Sequence, residues 1–108
     1  MKDLINKKCI ACEGGAKPLS REDAQDYVDE VFGWQMDTEA KKISKEFKFK
    51  DFVEAIDFVS RVADVAEEEG HHPDIHIFYN KVLLELSTHS IGGLSENDFI
   101  LATKINNL

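Results

Sequence analysis

The sequence has little of what marks a membrane-spanning, exported or nucleic-acid-binding protein. No uncharged apolar run approaches the roughly 18 residues that a spanning helix needs, and Met1-Lys2-Asp3 does not begin an export signal. The 13 basic residues are outnumbered by 21 acidic ones, and a formal net charge of -8 repels phosphate backbones. We therefore expect a cytoplasmic protein that has no membrane partner and makes no direct contact with nucleic acid.

Motifs of several enzyme classes are also missing. Neither glycine pair has the flanking residues of a phosphate loop or a dinucleotide fingerprint, and no nucleophile elbow is present. The two cysteines, Cys9 and Cys12, form one Cys-x-x-Cys pair, which supplies only half of a tetrahedral zinc site. A reduced pair with a modest structural role is the main interpretation, and zinc or redox chemistry are the alternatives.

The length and composition indicate one domain. A chain of 108 residues with 43% hydrophobic and 31% charged residues has room for a single core. Residues 1–18 lack periodicity and contain Gly14, Gly15 and Pro18, which predicts an N-terminal arm or loop that carries the Cys-x-x-Cys pair. The domain itself is expected to cover residues 19–108.

Hydrophobic periodicity predicts the order helix, two strands, helix, two strands, helix. The first helix is expected from a Ser20 cap to Gly33, with apolar positions 24, 27, 28, 31 and 32. The first two strands are expected between Trp34 and Phe49, joined near residues 37–39. The long second helix ends near Gly70, and its predicted apolar face is Phe52, Ala55, Ile56, Val59, Val62, Ala63 and Ala66.

The second half of the chain predicts a hairpin and a last helix. Alternating apolar residues at 75, 77 and 79, and again at 82, 84, 86 and 88, predict two adjacent strands. Ser95 and Asp98 form a capping box for a helix that runs through Ile105. We predict an α+β fold with two layers, in which helices cover one face of a four-stranded antiparallel sheet. A second copy would cover a sheet edge or the bare face, so a homodimer or homotetramer is expected.

Histidines are the main candidates for chemistry. His71 and His72 follow the long helix, where Pro73 keeps His72 out of helical geometry, and His89 lies at the end of a predicted strand, facing away from the main core. Imidazoles from these two places can act as general acid and base near neutral pH. Helix capping and surface chemistry are the alternative roles, and zinc binding is another, although adjacent residues cannot share one helical face. His76 is read as a packed or solvent-facing sheet residue.

These residues resemble the signature of the pterin-4a-carbinolamine dehydratase family. In this sequence the signature reads Glu67, three residues, His71-His72-Pro73, five residues, Tyr79, nine residues, His89, eight residues, Asp98. The resemblance covers about residues 19–106 and includes Gly33-Trp34, Phe47-Phe49-Asp51-Phe52, Tyr79-Asn80-Lys81-Val82, Leu86-Ser87-Thr88-His89 and Gly93-Leu94-Ser95.

The resemblance implies a lyase that removes water from a 4a-hydroxytetrahydropterin to give the quinonoid dihydropterin, in support of tetrahydropterin recycling. It implies no metal and no organic cofactor. The implied catalytic set is His71, His72 and His89, with His71 and His89 as acid and base in an order that stays open. The implied substrate-binding residues are His72, Pro73, Trp34 and Glu67. Trp34 as a core residue and Glu67 as a helix-surface charge are the alternatives for the last two.

One position departs from the family pattern, and two other functions compete with catalysis. Gly70 stands where family members often carry an acid, so an orienting carboxylate must come from Glu67, Asp74 or elsewhere. Animal relatives also bind a homeodomain transcription factor as dimerisation cofactors, which makes a non-enzymatic binding role the main rival. A zinc protein that uses Cys9 and Cys12 together with histidines is the third possibility.

Overall fold

The computed structural model describes residues 2–10 and 17–108. Within these ranges three α-helices and four β-strands follow one another in the predicted order. They are α1 (Arg21–Val28), β1 (Gln35–Met36), β2 (Ile43–Lys48), α2 (Phe52–Glu69), β3 (Asp74–Phe78), β4 (Lys81–Leu86) and α3 (Glu96–Asn106). Two short 3-10 turns, Leu4–Asn6 and His89–Ile91, lie near the two ends of this series. No helix in the described ranges is long and apolar enough to cross a membrane.

The four strands form one antiparallel sheet in the order β1-β2-β4-β3. Every second residue of β4 is buried, and these core residues pair with apolar residues of the flanking strands, as in Ile43 with Leu86 and Ile75 with Leu84. The helices α2 and α3 pack on this side. The predicted two-layer α+β fold is confirmed.

Helix α2 begins and ends where the sequence predicts, but its buried face is rotated. The Asp51 carboxylate accepts a hydrogen bond from the Glu54 N–H at 2.9 Å, and Gly70 ends the helix with φ of 67°. The buried residues are Ala55, Phe58, Val62, Ala66 and Glu69. Phe52 and Ala63, both predicted to face the core, are exposed. Apolar residues lie on both sides of the buried face, so the hydrophobic period alone could not predict which of them pack on the sheet. The buried face packs Phe58 against the rings of Phe47 and Phe49.

The first helix is shorter than predicted. It ends at Val28, and residues 29–34 continue in turns in which the N–H groups of Glu30, Val31 and Trp34 bond to the carbonyl three residues back. Val31 is still buried, but Phe32 is 85% exposed and was wrongly assigned to the core face. The chain turns at Gly33, where φ is 85°, a conformation that favours glycine. A Cβ at this position would also lie only 2.7 Å from Lys45 Cε.

The segment between β4 and α3 carries His89 into the site. Strand β4 ends at Leu86, so His89 begins a 3-10 turn instead of ending the strand as predicted. Thr88 is buried and bridges to Gly93, which closes the turn. The Asp98 carboxylate accepts the Ser95 N–H at 3.0 Å, and this capping box starts α3 as the sequence predicted.

The described part of the predicted arm is packed against the domain. Leu4 is 2% exposed and belongs to the hydrophobic core, and its 3-10 turn contacts α3. The Lys7 ammonium pairs with the Glu96 carboxylate at 3.0 Å. Cys12 lies outside the described residues, so the predicted Cys-x-x-Cys pair is described only at Cys9.

Candidate active site

The three predicted catalytic histidines lie around one cavity. Gly70 turns the chain at the end of α2, where His71 and His72 follow, and the 3-10 turn supplies His89 from the other side. The cavity has a volume of about 260 Å³. Its lining residues are Ile10, Gly70, His71, His72, Ser87, Thr88, His89, Ser90 and Asn97. Two distant stretches of sequence therefore converge on one site.

A buried carboxylate holds the His71 ring. His71 Nε2 lies 2.6 Å from Asp98 Oδ1, and Asp98 is fully buried. The same carboxylate accepts hydrogen bonds from the Thr88 hydroxyl at 2.9 Å and from the Ser95 N–H at 3.0 Å. A carboxylate fixed in this way sets the orientation of an imidazole and selects its tautomer. Because Nε2 faces Asp98, only Nδ1 of His71 remains for a substrate.

His72 has its own, more exposed carboxylate. Its Nε2 lies 2.5 Å from Glu67 Oε2, one turn earlier on α2, and both side chains are largely open to solvent. Gly70 ends the helix with a positive φ, a conformation that favours glycine over an acidic residue. The orienting carboxylates for the histidine pair are Asp98 and Glu67 in this chain.

Several residues of the site were not found by sequence reasoning. Asp98 was recognised as a helix cap and as part of the family signature, but its contact with His71 was not anticipated. Thr88 was placed in the apolar set of its strand, although its hydroxyl bonds both Asp98 and Ser95. Ser87, Ser90 and Asn97 line the cavity without any motif that marks them. The spacing from Ser95 to Asp98 was the one available signal, and it pointed to capping.

Three of the four predicted substrate-binding residues lie apart from the cavity lining: Trp34, Pro73 and Glu67, of which Glu67 contacts the lining residue His72. Trp34 is 4% exposed, its ring contacts Phe47, and its indole N–H donates to the Asn106 side chain at 3.0 Å. In the described chain Trp34 therefore lies in the core and does not line this cavity, which agrees with the alternative given for it from the sequence. Pro73 follows the histidine pair and leads into β3 without lining the cavity.

A second cavity adjoins the first. It has a volume of about 340 Å³ and shares Ser87, Thr88 and His89 with the histidine cavity. Its far side is formed by the loop from Asp37 to Lys42. The volume of the histidine cavity alone is below the roughly 300–1,000 Å³ of ordinary ligand clefts. The adjoining cavity adds space in which a small ring compound could place a substituent.

His76 lies on the opposite face of the sheet from the core. Its Nε2 is 2.8 Å from the Glu85 carboxylate, which also pairs with Lys42 at 3.1 Å. These two partners lower the pKa of Glu85, His76 contributing more. His76 is 45% exposed and does not line the histidine cavity, which agrees with its interpretation as a sheet residue.

The environment of Cys9 favours the structural interpretation. Its sulfur lies 3.5 Å from the Asn97 carbonyl oxygen. Burial, together with the nearby Glu69 carboxylate, raises the pKa of the Cys9 thiol to about 12. A thiol that stays protonated at neutral pH is a poor nucleophile and a poor metal ligand. Within residues 2–10 and 17–108, no three His, Cys, Asp or Glu side chains group as a metal site.

The fold and site together define a class: a small α+β domain in which histidines and carboxylates surround a cavity at the end of a helix. Known proteins place the chain more narrowly. The sequence model of the pterin 4 alpha carbinolamine dehydratase family matches residues 17–108. The chain therefore belongs to this family, as the signature residues predicted.

Individual relatives agree with this membership. A protein of Halorhodospira halophila, provisionally named pterin-4-alpha-carbinolamine dehydratase, is 46% identical over 105 residues, covering 97% of this chain and 96% of the relative. The mitochondrial pterin-4-alpha-carbinolamine dehydratase 2 of Arabidopsis thaliana is 46% identical over 98% of this chain, which spans 59% of that protein. A crystal structure from Brucella melitensis, titled transcriptional coactivator/pterin dehydratase, superposes with a TM-score of 0.79 at 35% identity and covers 84% of this chain and 97% of its own.

Proposed function

We propose that the protein dehydrates a 4a-hydroxytetrahydropterin to the quinonoid dihydropterin by general acid and base catalysis, in support of tetrahydropterin recycling. The observation that carries the proposal is the convergence of His71, His72 and His89 on one cavity, with His71 held by a buried carboxylate. Family membership supplies the substrate class, since relatives across most of this chain's length bear the dehydratase name.

The reaction needs two proton transfers and no change of oxidation state. One group donates a proton to the hydroxyl at C4a as the C–O bond breaks, and water leaves. Another group accepts the proton from N5 as the N5–C4a double bond forms. Two imidazoles on opposite sides of the ring can perform both transfers and regain their starting states by exchanging a proton.

Asp98 suggests how the two roles are divided. When His71 is neutral and donates its Nε2–H to Asp98, its Nδ1 carries a lone pair and can accept the proton from N5. His89 is exposed at the junction of the two cavities, where it can exchange protons with water and donate to the leaving hydroxyl. Microscopic reversibility gives the same two residues the opposite roles in hydration.

His72 is proposed to bind and orient the pterin ring. Its Nε2 is engaged by Glu67, which leaves Nδ1 to contact a polar edge of the ring. Trp34 and Pro73 are left out of the proposed contact set, because neither lines the cavity. We also propose that the protein acts in the cytoplasm, as expected from the sequence, whereas the Arabidopsis relative is named mitochondrial.

Histidine variants test the proposal by stopped-flow measurement of dehydration. His71→Ala and His89→Ala should each lower kcat by about 10²- to 10⁴-fold, the usual contribution of a positioned acid or base. His76→Ala is the matched control, because His76 also pairs with a carboxylate but lies away from the cavity. Its rate should stay within about twofold of the wild type.

The same assay separates the enzyme from the rival binding role. The Brucella structure carries a coactivator title beside the dehydratase one, so a non-enzymatic protein-binding function on this fold is the alternative. A wild-type rate equal to the buffer background would reject the dehydratase proposal and favour this alternative. Full activity in His71→Ala or His89→Ala would keep the reaction but remove these histidines from it.

A further inference from the structure

The N-terminal arm contributes Ile10 to the wall of the histidine cavity. Among the residues that the structure describes, Ile10 is the one lining residue that comes from outside residues 70–97, and it is 74% exposed. An exposed isoleucine at a cavity mouth is common on protein surfaces and has no meaning by itself. The way in which the backbone of this residue is held distinguishes it from such cases.

Asn97 clamps the Ile10 backbone from both sides. The Ile10 N–H donates to Asn97 Oδ1 at 3.0 Å, and the Asn97 amide donates to the Ile10 carbonyl at 2.6 Å. Asn97 is 6% exposed and sits in the first turn of α3, one residue before the Asp98 that holds His71. The arm and the catalytic histidine are therefore positioned by neighbouring residues of one helix end.

A second buried contact holds the preceding residue. The Cys9 N–H donates to Glu69 Oε1 at 2.9 Å, and Glu69 Oε2 pairs with Lys104 at 2.7 Å. Burial opposes ionisation of Glu69, but Lys104 and the Cys9 N–H together lower its pKa. Burying a paired carboxylate is energetically expensive, and here one of its oxygens is used to fix the arm. Leu4 anchors the start of the same segment in the core.

We propose that Ile10 is a substrate-binding residue of this site: the clamped arm holds its side chain as an apolar wall against one face of the bound pterin ring. A pterin presents flat apolar faces and polar edges, so a pocket for it needs an apolar contact beside its hydrogen-bonding groups. Within residues 2–10 and 17–108, the other lining side chains are mainly polar and Ile10 supplies the apolar contact. This inference rests on the proposed function.

Substituting Ile10 tests the contact. Ile10→Ala removes apolar surface that contacts the ring equally before and during reaction, so KM should rise about five- to thirtyfold while kcat changes less than about twofold. Ile10→Val should restore most of the affinity. Ile5→Ala is the matched control, because Ile5 is exposed on the same arm but borders a different cavity. Its KM should equal that of the wild type.

Binding of unsubstituted pterin, followed by quenching of its fluorescence, gives a readout that needs no turnover. Its Kd should rise with Ile10→Ala by the same factor as KM, since this probe has the ring but no side chain. If the wild type and Ile10→Ala bind pterin with equal affinity, the role of Ile10 is overturned, whatever the activity of either protein. A wild type without turnover overturns the proposed function, and the pterin titration then decides on Ile10 separately. If the wild type turns over the substrate but does not bind pterin, the proposed function stands, and an unchanged KM in Ile10→Ala then overturns the role of Ile10.

Discussion

Asp98 joins the stability of α3 to the chemistry of the cavity through a single carboxylate. Its oxygens accept from the Ser95 N–H, from the Thr88 hydroxyl and from His71, and solvent does not reach them. A carboxylate in this position must be satisfied by fixed donors, because a buried charge without partners is strongly destabilising. The donors in turn fix where the carboxylate points. In the proposed reaction Asp98 is thus a positioning residue that acts through His71.

Replacing Asp98 by asparagine should separate position from charge. An amide can still accept from Ser95, but its NH₂ group facing His71 would favour the tautomer whose Nδ1 is protonated, which removes the proposed base. We expect kcat to fall about a hundredfold and the free energy of unfolding to fall by about 1–3 kcal/mol. Stopped-flow kinetics across pH, together with denaturant unfolding, measure both effects.

Glu67→Gln provides the comparison for Asp98→Asn. Glu67 also contacts a histidine of the site, yet its side chain is 78% exposed, so water can replace the lost contact. Its kcat should fall less than about tenfold, with no measurable loss of stability. A hundredfold loss in both variants, or in neither, would contradict the distinction between the buried and the exposed carboxylate.

At the scale of elements, α2 shows what hydrophobic periodicity can and cannot predict about a helix. The apolar pattern placed its start at Phe52, and its end was predicted correctly because Gly70 and Pro73 are local signals whose effect on the backbone needs no tertiary partner. The buried face was not, because apolar residues occur around much of the helix and the sheet decides which of them it covers. Phe58 was overlooked, although it lies between the rings of Phe47 and Phe49.

Phe58→Ala should therefore be among the more damaging substitutions in α2. Phe58 is 4% exposed, and its truncation leaves a cavity beside the rings of Phe47 and Phe49, so we expect a loss of about 3–4 kcal/mol in the free energy of unfolding. Phe32→Ala removes the same side chain at a position that is 85% exposed and should change stability by less than about 1 kcal/mol. Urea unfolding of both variants checks the rotated face. A loss at Phe52, on the predicted face, larger than that at Phe58 would contradict it.

In the same way, the sequence identified some residues of the site and missed others. His71, His72 and His89 were found because their residue type and spacing carry the signal, and the resemblance to a family agreed. The Asn97 clamp and the Thr88 hydroxyl were missed, since neither residue type is rare and each acts through a contact between distant segments. For Trp34 the sequence left core and pocket open, because a conspicuous aromatic residue is compatible with either position. Contacts across the sequence are decided by packing, which periodicity does not report.

At the scale of the whole molecule, the sheet ends on one side in an exposed edge. Strand β3 pairs only with β4, and its outer side carries backbone groups with no partner strand among the described residues. Ile77 is 38% exposed and Phe78 is 58% exposed on this strand. Three of the five residues of this edge strand are apolar and none is proline, and an exposed edge of this kind is a surface that proteins normally cover. This supports the homodimer or homotetramer expected from the sequence, with β3 as the contacting edge.

Light scattering of the wild type and of Phe78→Lys tests this assembly. In a two-fold interface each substitution occurs twice, so the variant loses two buried phenylalanines and brings two like charges together. We expect the wild type to be a dimer or tetramer at micromolar concentration and the dimer Kd of Phe78→Lys to rise at least about a hundredfold. Phe32→Lys adds the same charge at an exposed phenylalanine away from the edge and should leave the assembly intact. A wild type that scatters as a single chain, or a Phe78→Lys variant that assembles as the wild type does, would show that β3 is not the interface.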